Sequence, residues 1–477
     1  MSNMELEPTY ENLMKHYLHD TIGRNDDLFY FVRILSGLHS GSAVALNAAW
    51  GSGKTFFVKQ AKMLIDIHNP NSDIYTEYLN EEKITAIKDV YNKHNLGAEK
   101  YEMPKMATVY YDAWKYDNTE DPLLSLLYCI ITRYGENINP DKVSWMKAAL
   151  LKSLPLFNEV AKSVTGLDIK EILEGLKNIL ETQEDWFKQI KKENNIEKQV
   201  RKFLSNIIRD DEEKLIIFID ELDRCNPQYA VKLLERVKHY FNHPKVVFVI
   251  SYNKAELQHS IKTLYGSEFS ADKYLERFFD YEFGLRAIEV EKYFDVLGNN
   301  QNTIDDNCNT IAKIYNLQMR EIWKYFDYMK KATAMFSRLT SNNIFSLEKS
   351  LAFYVVWFMP FVVGLRVHDY KEYREFVEGR GFELYDTFFD IRLKNRGRYF
   401  GELINDYEVY NESRMYTIEE DVKIVSLKSK FKQLYEYMFD ISKSKEAFQI
   451  GSITINSELR KEFRNIINGI SYLADYK

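Results

Sequence analysis

Lys54 and Thr55 close the stretch Leu46-Asn47-Ala48-Ala49-Trp50-Gly51-Ser52-Gly53-Lys54-Thr55. Glycines followed by a lysine and a hydroxyl suit the binding of a polyphosphate. Gly51 and Gly53 let the backbone curl until successive N–H groups point at one centre. Lys54 then reaches the outer phosphates, and the Thr55 hydroxyl can ligate Mg²⁺. Trp50, Gly51, Ser52, Gly53, Lys54, Thr55 and Phe56 are therefore the candidate nucleotide-binding residues here. Ala48 stands where the pattern has its first glycine, which is tolerable if that residue keeps φ below zero. A second stretch, Asp220-Glu221-Leu222-Asp223-Arg224-Cys225, opens on two acids. Asp220 can complete a Mg²⁺ site with Thr55, and Glu221 can orient and polarise a water that attacks a γ-phosphate. The competing reading of Asp220-Glu221 is a plain strand-terminating turn.

Both stretches are flanked by patterns that would hold them still. Ala43 to Leu46 reads as a strand and Phe56 to Ile65 has helical spacing. The glycine loop would thus feed a helix whose dipole and unpaired N–H groups face the same anion. Leu215 to Ile219 is an unbroken apolar run, read as a central strand presenting Asp220 and Glu221 at its C-terminal end. Met106 to Tyr111 is a further strand, and it places Asp112 near the phosphates with Trp114 beside it. Val246 to Ile250 is another, ending at Ser251-Tyr252-Asn253. Asn253 or Ser251 would sense the γ-phosphate or position its water, with a loop-starting role as the rival for Asn253.

Ahead of the loop, Thr21-Ile22-Gly23-Arg24-Asn25 precedes a helical pattern. Either Gly23 and Arg24 sit over the nucleotide base, or the turn is a helix cap using Asn25 or Asp26. Arg224, Arg277 and Arg320 are candidates for the positive charge that phosphoryl transfer needs. Arg224 equally suits an ion pair with Asp223 or a nearby acid, and Arg277 a salt bridge at the sheet edge. Arg320 starts a helix, where a cation opposes the dipole unless an anion lies close, which favours it as a nucleotide sensor.

Composition narrows the field. Sixty-four basic against 71 acidic residues leave a mildly acidic chain that demands no nucleic-acid partner. Arg392, Lys394, Arg396 and Arg398 with Tyr399 and Phe400 could still grip a phosphate backbone or an acidic partner, a solvated loop being the default. Three scattered cysteines, Cys129, Cys225 and Cys308, fit a reducing cytoplasm and argue against a disulfide framework or a cysteine metal site. Met1 to Tyr10 is too polar for a signal peptide. The apolar run Leu351 to Leu365 would span about 22 Å as a helix, short of a bilayer core. It reads as a buried helix kinked by Pro360, so membrane insertion is not expected.

The order of Trp50-Gly51-Ser52-Gly53-Lys54-Thr55, Asp112-Ala113-Trp114, Phe218 to Cys225 with Pro227, Val247 to Ile250 with Leu257, and Tyr274-Leu275-Glu276-Arg277-Phe278-Phe279 resembles the KAP family of P-loop NTPases, in particular a soluble bacterial-type member. The resemblance runs from about Thr21 to Phe283. Leu317 to Ile322 is similar to the family's helical lid, in which an arginine, here Arg320, heads a helix facing the nucleotide. The resemblance implies an α/β fold with a three-layer parallel sheet of the additional-strand type, a helical insertion and a mostly α-helical C-terminal domain. The expected boundaries are 1–285 for the NTPase domain with its insertion at about 120–210, 286–340 for the lid and 341–477 for the C-terminal domain.

The implied activity is ATP hydrolysis with ATP and Mg²⁺ as ligands and Glu221 as the catalytic carboxylate. It would drive conformational change, homo-oligomerisation or control of a partner effector in the cytoplasm, with a link to anti-phage defence. Some members carry transmembrane helices inside the NTPase domain. The corresponding insert here, from Leu150 to Phe157 and beyond, is charged or amphipathic, which points to a soluble form. The alternatives are a nucleotide-gated binding or scaffold protein with little turnover, and a nucleic-acid-stimulated ATPase.

Overall fold

Leu215, Ile216, Ile217, Phe218 and Ile219 are all wholly buried, as an apolar run must be when both faces of its strand are covered. They form β3 (Lys214–Asp220) in a sheet with β1 (Ala43–Asn47), β2 (Met106–Asp112), β4 (Val246–Tyr252) and β5 (Tyr281–Gly284). The order is β2-β3-β4-β1-β5, and every pairing is parallel. β4 therefore lies between the strand that feeds the glycine loop and the strand that ends in Asp220. This is the additional-strand arrangement expected from the resemblance.

The computed structural model describes residues 7–38, 41–72, 80–94, 102–119, 121–135, 196–290, 292–293, 303–340, 354, 356–391, 418–439, 447–450 and 453–472. They fall into two units, Met1–Ala287 and Ile288–Lys477. In the first, alternation along the strands sorts side chains into two layers. Ala45, Val109, Tyr111, Ile217, Ile219, Phe248 and Ile250 share one core with the helices Pro122–Gly135, Ile196–Ile207, Pro227–Tyr240 and Lys254–Tyr265. The alternate residues face α3 (Lys54–His68), on which α1 (Tyr10–Leu18) and α2 (Asn25–Gly37) pack. Buried Asp66 locks α3 to β2, accepting from Thr108 Oγ1 and from Lys62 Nζ, each at 2.5 Å.

Of the expected insertion, 136–195 lies outside the described residues, including 150–157. The helix Ile196–Ile207 turns Val200, Phe203 and Leu204 inward, as its spacing predicts. The second unit holds the helices Thr303–Ile314, Met319–Thr340, Met359–His368, Tyr370–Val377, Ile418–Phe439 and Ser457–Tyr472. An antiparallel hairpin, β6 (Ala447–Ile450) with β7 (Ile453–Asn456), accompanies them. Gly364 is required there by close approach: a Cβ would meet Ile311 Cγ2 at 2.3 Å. Pro360 occupies the first turn of Met359–His368. Tyr354, Val356 and Trp357 before it are also helical, and the Phe358 N–H donates to the Tyr354 carbonyl at 2.9 Å, so Pro360 interrupts a longer helical run at Phe358, as the kink reading expects. Among the described residues no helix is long and apolar enough to cross a membrane. The basic cluster from Arg392 to Phe400 lies outside the described residues.

Because Ile217 is wholly buried at the centre of the sheet, Ile217→Ala is expected to lower the unfolding free energy by about 2–5 kcal/mol, read from urea denaturation.

Candidate functional site

Gly51 and Gly53 adopt φ of 78° and 89°, a left-handed region that costs other residues about 1–2 kcal/mol. Gly53 is the residue from which α3 departs. Ala48 is not among the residues with positive φ, so the missing first glycine imposes no strain. Its N–H donates to the Tyr252 carbonyl at 3.3 Å, which ties the start of the loop to β4. Lys54 is buried, and its Nζ donates to the carbonyls of Ala48 at 2.9 Å and Ala49 at 3.1 Å. Burial lowers its pKa, while the charges of Asp223, Asp220 and Glu221 act to raise it.

β3 delivers the acids to this loop. Asp220 is 1% exposed. Its Oδ1 accepts the Glu221 N–H at 3.0 Å and its Oδ2 accepts the Tyr110 hydroxyl at 3.0 Å. Glu221 has left-handed φ, 61°, an uncommon conformation for a residue with a Cβ and one found where function over-determines the backbone. The turn aims its carboxylate at α3, where Oε1 accepts the Thr55 hydroxyl at 3.2 Å. The other oxygen, Oε2, is ion-paired with Arg224 Nε. Burial and the neighbouring Asp220 charge raise the Glu221 pKa, against the opposing pull of Arg224 and the Thr55 bond. Asp223 Oδ2 accepts the Trp50 indole N–H, so the glycine loop and the acidic turn are joined at two points. Arg224 lies 5.5 Å over the Trp114 ring.

Among the described residues, three buried polar atoms at this junction have no hydrogen-bond partner: Ser52 Oγ, Asp223 Oδ1 and Ser251 Oγ. Ser251 is wholly buried and pairs with Leu46 across β1 and β4. Its neighbours Ile250 and Tyr252 belong to the opposite core, so Ser251 lies on the α3 face. Unpartnered buried polar atoms are costly and call for an explanation. Phosphate oxygens and ordered water would satisfy these. Thr55 and Asp220 supply the hard oxygen ligands that Mg²⁺ takes, so the residues present fit a magnesium–triphosphate.

Phe56 is buried, edge-on to His16 of α1 with ring centroids 5.4 Å apart; only its backbone belongs to the α3 terminus. Gly23 has φ 69° and turns the chain so that Arg24 is buried against the glycine loop. Arg24 Nη1 donates to the Ser52 carbonyl at 2.8 Å and Nη2 to the Arg286 carbonyl. Burial pushes its pKa down to about 10. The capping alternative fails for both residues named. Asn25 Nδ2 donates to the Tyr17 carbonyl at 2.7 Å, and Asp26 pairs with His94 at 2.7 Å. Asn253 Oδ1 accepts the Ala255 N–H at 3.1 Å, capping the helix Lys254–Tyr265. Asp112 Oδ1 accepts the Lys115 N–H at 3.1 Å. Arg277 is exposed, and no ion pair joins it to a described residue. Arg320 is exposed in the first turn of Met319–Thr340, in the second unit.

The structure thus brings together Trp50, Ser52, Lys54, Thr55, Asp220, Glu221 and Arg224. It adds contacts that sequence reasoning missed: Tyr110 on Asp220, Trp50 on Asp223 and Arg24 on Ser52. The period-2 alternation of β2 was the available signal for Tyr110.

The model of a family described as the KAP family P-loop domain matches residues 30–326. The uncharacterized protein MJ0182 of Methanocaldococcus jannaschii is 26% identical over 164 residues, 28% of this chain and 82% of its own length. A solved structure of the Aeropyrum pernix ORC2 protein, in ADPNP and ADP complexes, aligns over 94% of this chain and 95% of its own. Its identity is 12% and its TM-score 0.32, too low to carry any argument.

Lys54→Ala removes the buried ammonium from the loop. It is expected to weaken nucleotide binding at least about tenfold, or about 1.4 kcal/mol, measured by titration with a fluorescent ATP analogue.

Proposed function

The chain belongs to the KAP family of P-loop domains, and from that premise we propose that it is a Mg²⁺-dependent ATP hydrolase. The observation that carries the reading is the Thr55–Glu221 hydrogen bond of 3.2 Å. It sets a carboxylate of raised pKa directly over the hydroxyl that follows the phosphate-binding lysine. Thr55 and Asp220 would hold Mg²⁺, which supplies Lewis-acid neutralisation of the β- and γ-phosphate oxygens.

The chain's own groups then divide the work. The loop N–H groups and the α3 terminus bind the phosphates, and Lys54 faces their negative charge. Glu221 orients a water and takes its proton as the water oxygen attacks the γ-phosphorus. The bond from that phosphorus to the ADP oxygen breaks, leaving ADP and inorganic phosphate. Arg224, already ion-paired with Glu221, would meet the developing charge. Asn253, Arg277 and Arg320 keep a place only as residues that nucleotide or a partner would recruit.

Coupling to the rest of the protein is supported by Arg24. It holds the Ser52 carbonyl of the loop and the Arg286 carbonyl, two residues before the second unit begins at Ile288. Asp27 reinforces the contact through Arg286 Nη2 at 2.8 Å. We assign the turnover cycle to control of assembly or of a partner protein in the cytoplasm. Anti-phage defence is the role suggested by resemblance alone.

A second reading, a nucleotide-gated switch with slow turnover, is favoured by the Glu221–Arg224 ion pair, which must loosen before Glu221 can act as a base. Phosphate release under multiple turnover separates the two: steady release supports the hydrolase, and ATP recovered intact supports the switch.

Glu221→Gln is expected to keep ATP binding while lowering hydrolysis by about 10²–10⁴-fold, measured as phosphate release alongside equilibrium binding. Hydrolysis requires Glu221 ionised, and its pKa is raised. The acid-side loss of turnover should therefore begin at a higher pH than an ordinary glutamate would give, and Glu221→Gln should abolish that limb of the pH–rate profile.

A further inference from the structure

We infer that Tyr110 is the positioning residue of the metal site, holding the Asp220 carboxylate in the orientation that receives Mg²⁺. The inference rests on the hydrolase reading for the identity of the cation, but its geometry is independent of turnover. β2 and β3 pair in parallel with Asp112 opposite Asp220 and Tyr110 opposite Phe218. Tyr110 therefore stands two positions back on the same face as Asp220. A diagonal neighbour on a sheet lies within reach of an aromatic side chain but not of a short one. The phenol spans that gap and donates to Asp220 Oδ2 at 3.0 Å.

The other oxygen, Oδ1, is held by the Glu221 N–H at 3.0 Å. Asp220 is thus clamped at both oxygens, once by the turn that carries the candidate base and once by Tyr110. Each oxygen keeps lone pairs for a cation, because a carboxylate has about four acceptor sites. Tyr110 is itself fixed from above by Lys59 of α3, whose Nζ lies 4.8 Å from the ring centroid. Lys59 is one helical turn after Thr55, so the same helix supplies a metal ligand and the support of the opposite one.

Outer partners of metal ligands raise affinity by fixing the ligand before the ion arrives, and their loss costs about 10–100-fold in affinity or activity. Tyr110→Phe removes only the hydroxyl and keeps the ring under Lys59. The test titrates Mg²⁺ into the full chain with a fluorescent ATP analogue, following binding and not turnover. The expected result is a Mg²⁺ midpoint raised about tenfold in Tyr110→Phe, with analogue affinity in EDTA unchanged. In an Asp220→Asn background, Tyr110→Phe should shift the midpoint no further, since its effect passes through Asp220. An unchanged midpoint in Tyr110→Phe overturns the inference, as does an equal loss of affinity in EDTA or a full additional shift in the double variant. Should Tyr110→Phe not fold, Tyr110→Gln, which keeps a donor on a shorter arm, is titrated instead. A midpoint between that of the unmodified protein and that of Asp220→Asn supports the clamp, and one matching the unmodified protein overturns it. Absence of any Mg²⁺ dependence in the unmodified protein would instead remove the hydrolase reading on which the cation's identity rests.

Discussion

One buried ammonium facing three carboxylates is the constraint around which this protein is arranged. Lys54 Nζ donates to the Ala48 and Ala49 carbonyls; burial lowers its pKa, and the charges of Asp223, Asp220 and Glu221 oppose that fall. None of the three acids is near it in sequence. They reach it because β3 and β1 run parallel with a single strand between them, so that both chains leave the sheet at the same edge. Ligands of open α/β sheets lie along that edge because turns, helix N-termini and strand-end side chains converge there. Here the convergence is tightened by two side-chain bonds between the loop and the acidic turn, Thr55 to Glu221 and Trp50 to Asp223.

The same contacts restrain the chemistry they prepare. Glu221 is placed in left-handed backbone, which costs conformational energy and aims the carboxylate at α3. Its second oxygen is engaged by Arg224. Under the proposed hydrolase reading, a γ-phosphate entering between Lys54 and Glu221 would compete for that arginine and free the Glu221 carboxylate. Arg24 extends the restraint outward, since one guanidinium bridges the phosphate loop and the last residues of the first unit. That guanidinium ties the Ser52 carbonyl to the Arg286 carbonyl, two residues before Ile288.

How far the sequence disclosed this depends on whether a feature is local. The loop, the doubly acidic strand tip and the buried strand before it are contiguous runs whose residue types state their own geometry. The meeting of Lys54, Thr55, Asp220 and Glu221 at one edge was legible for that reason, while the extra strand of the parallel sheet came from the family resemblance. Tyr110 was not, because its role depends on a register between strands more than a hundred residues apart in the chain. For Gly23 and Arg24 the sequence left a place over the nucleotide and a capping turn open, and it gave no sign that Arg24 is buried on the Ser52 and Arg286 carbonyls. Asn25 and Asp26 looked like caps by type, but tertiary partners, the Tyr17 carbonyl and His94, claim their side chains. The interruption beside Pro360 was legible, because a proline inside an unbroken apolar run removes a helical N–H.

The central claim is that the two strand tips share one metal-bound triphosphate. A crystal structure of the protein with a non-hydrolysable ATP analogue and Mn²⁺, examined by anomalous diffraction, tests it most directly. The account predicts a single manganese peak within ligand distance of Thr55 Oγ1 and next to the Asp220 carboxylate, with Lys54 on the outer phosphates. A nucleotide bound elsewhere, or a manganese peak remote from Asp220, would contradict it.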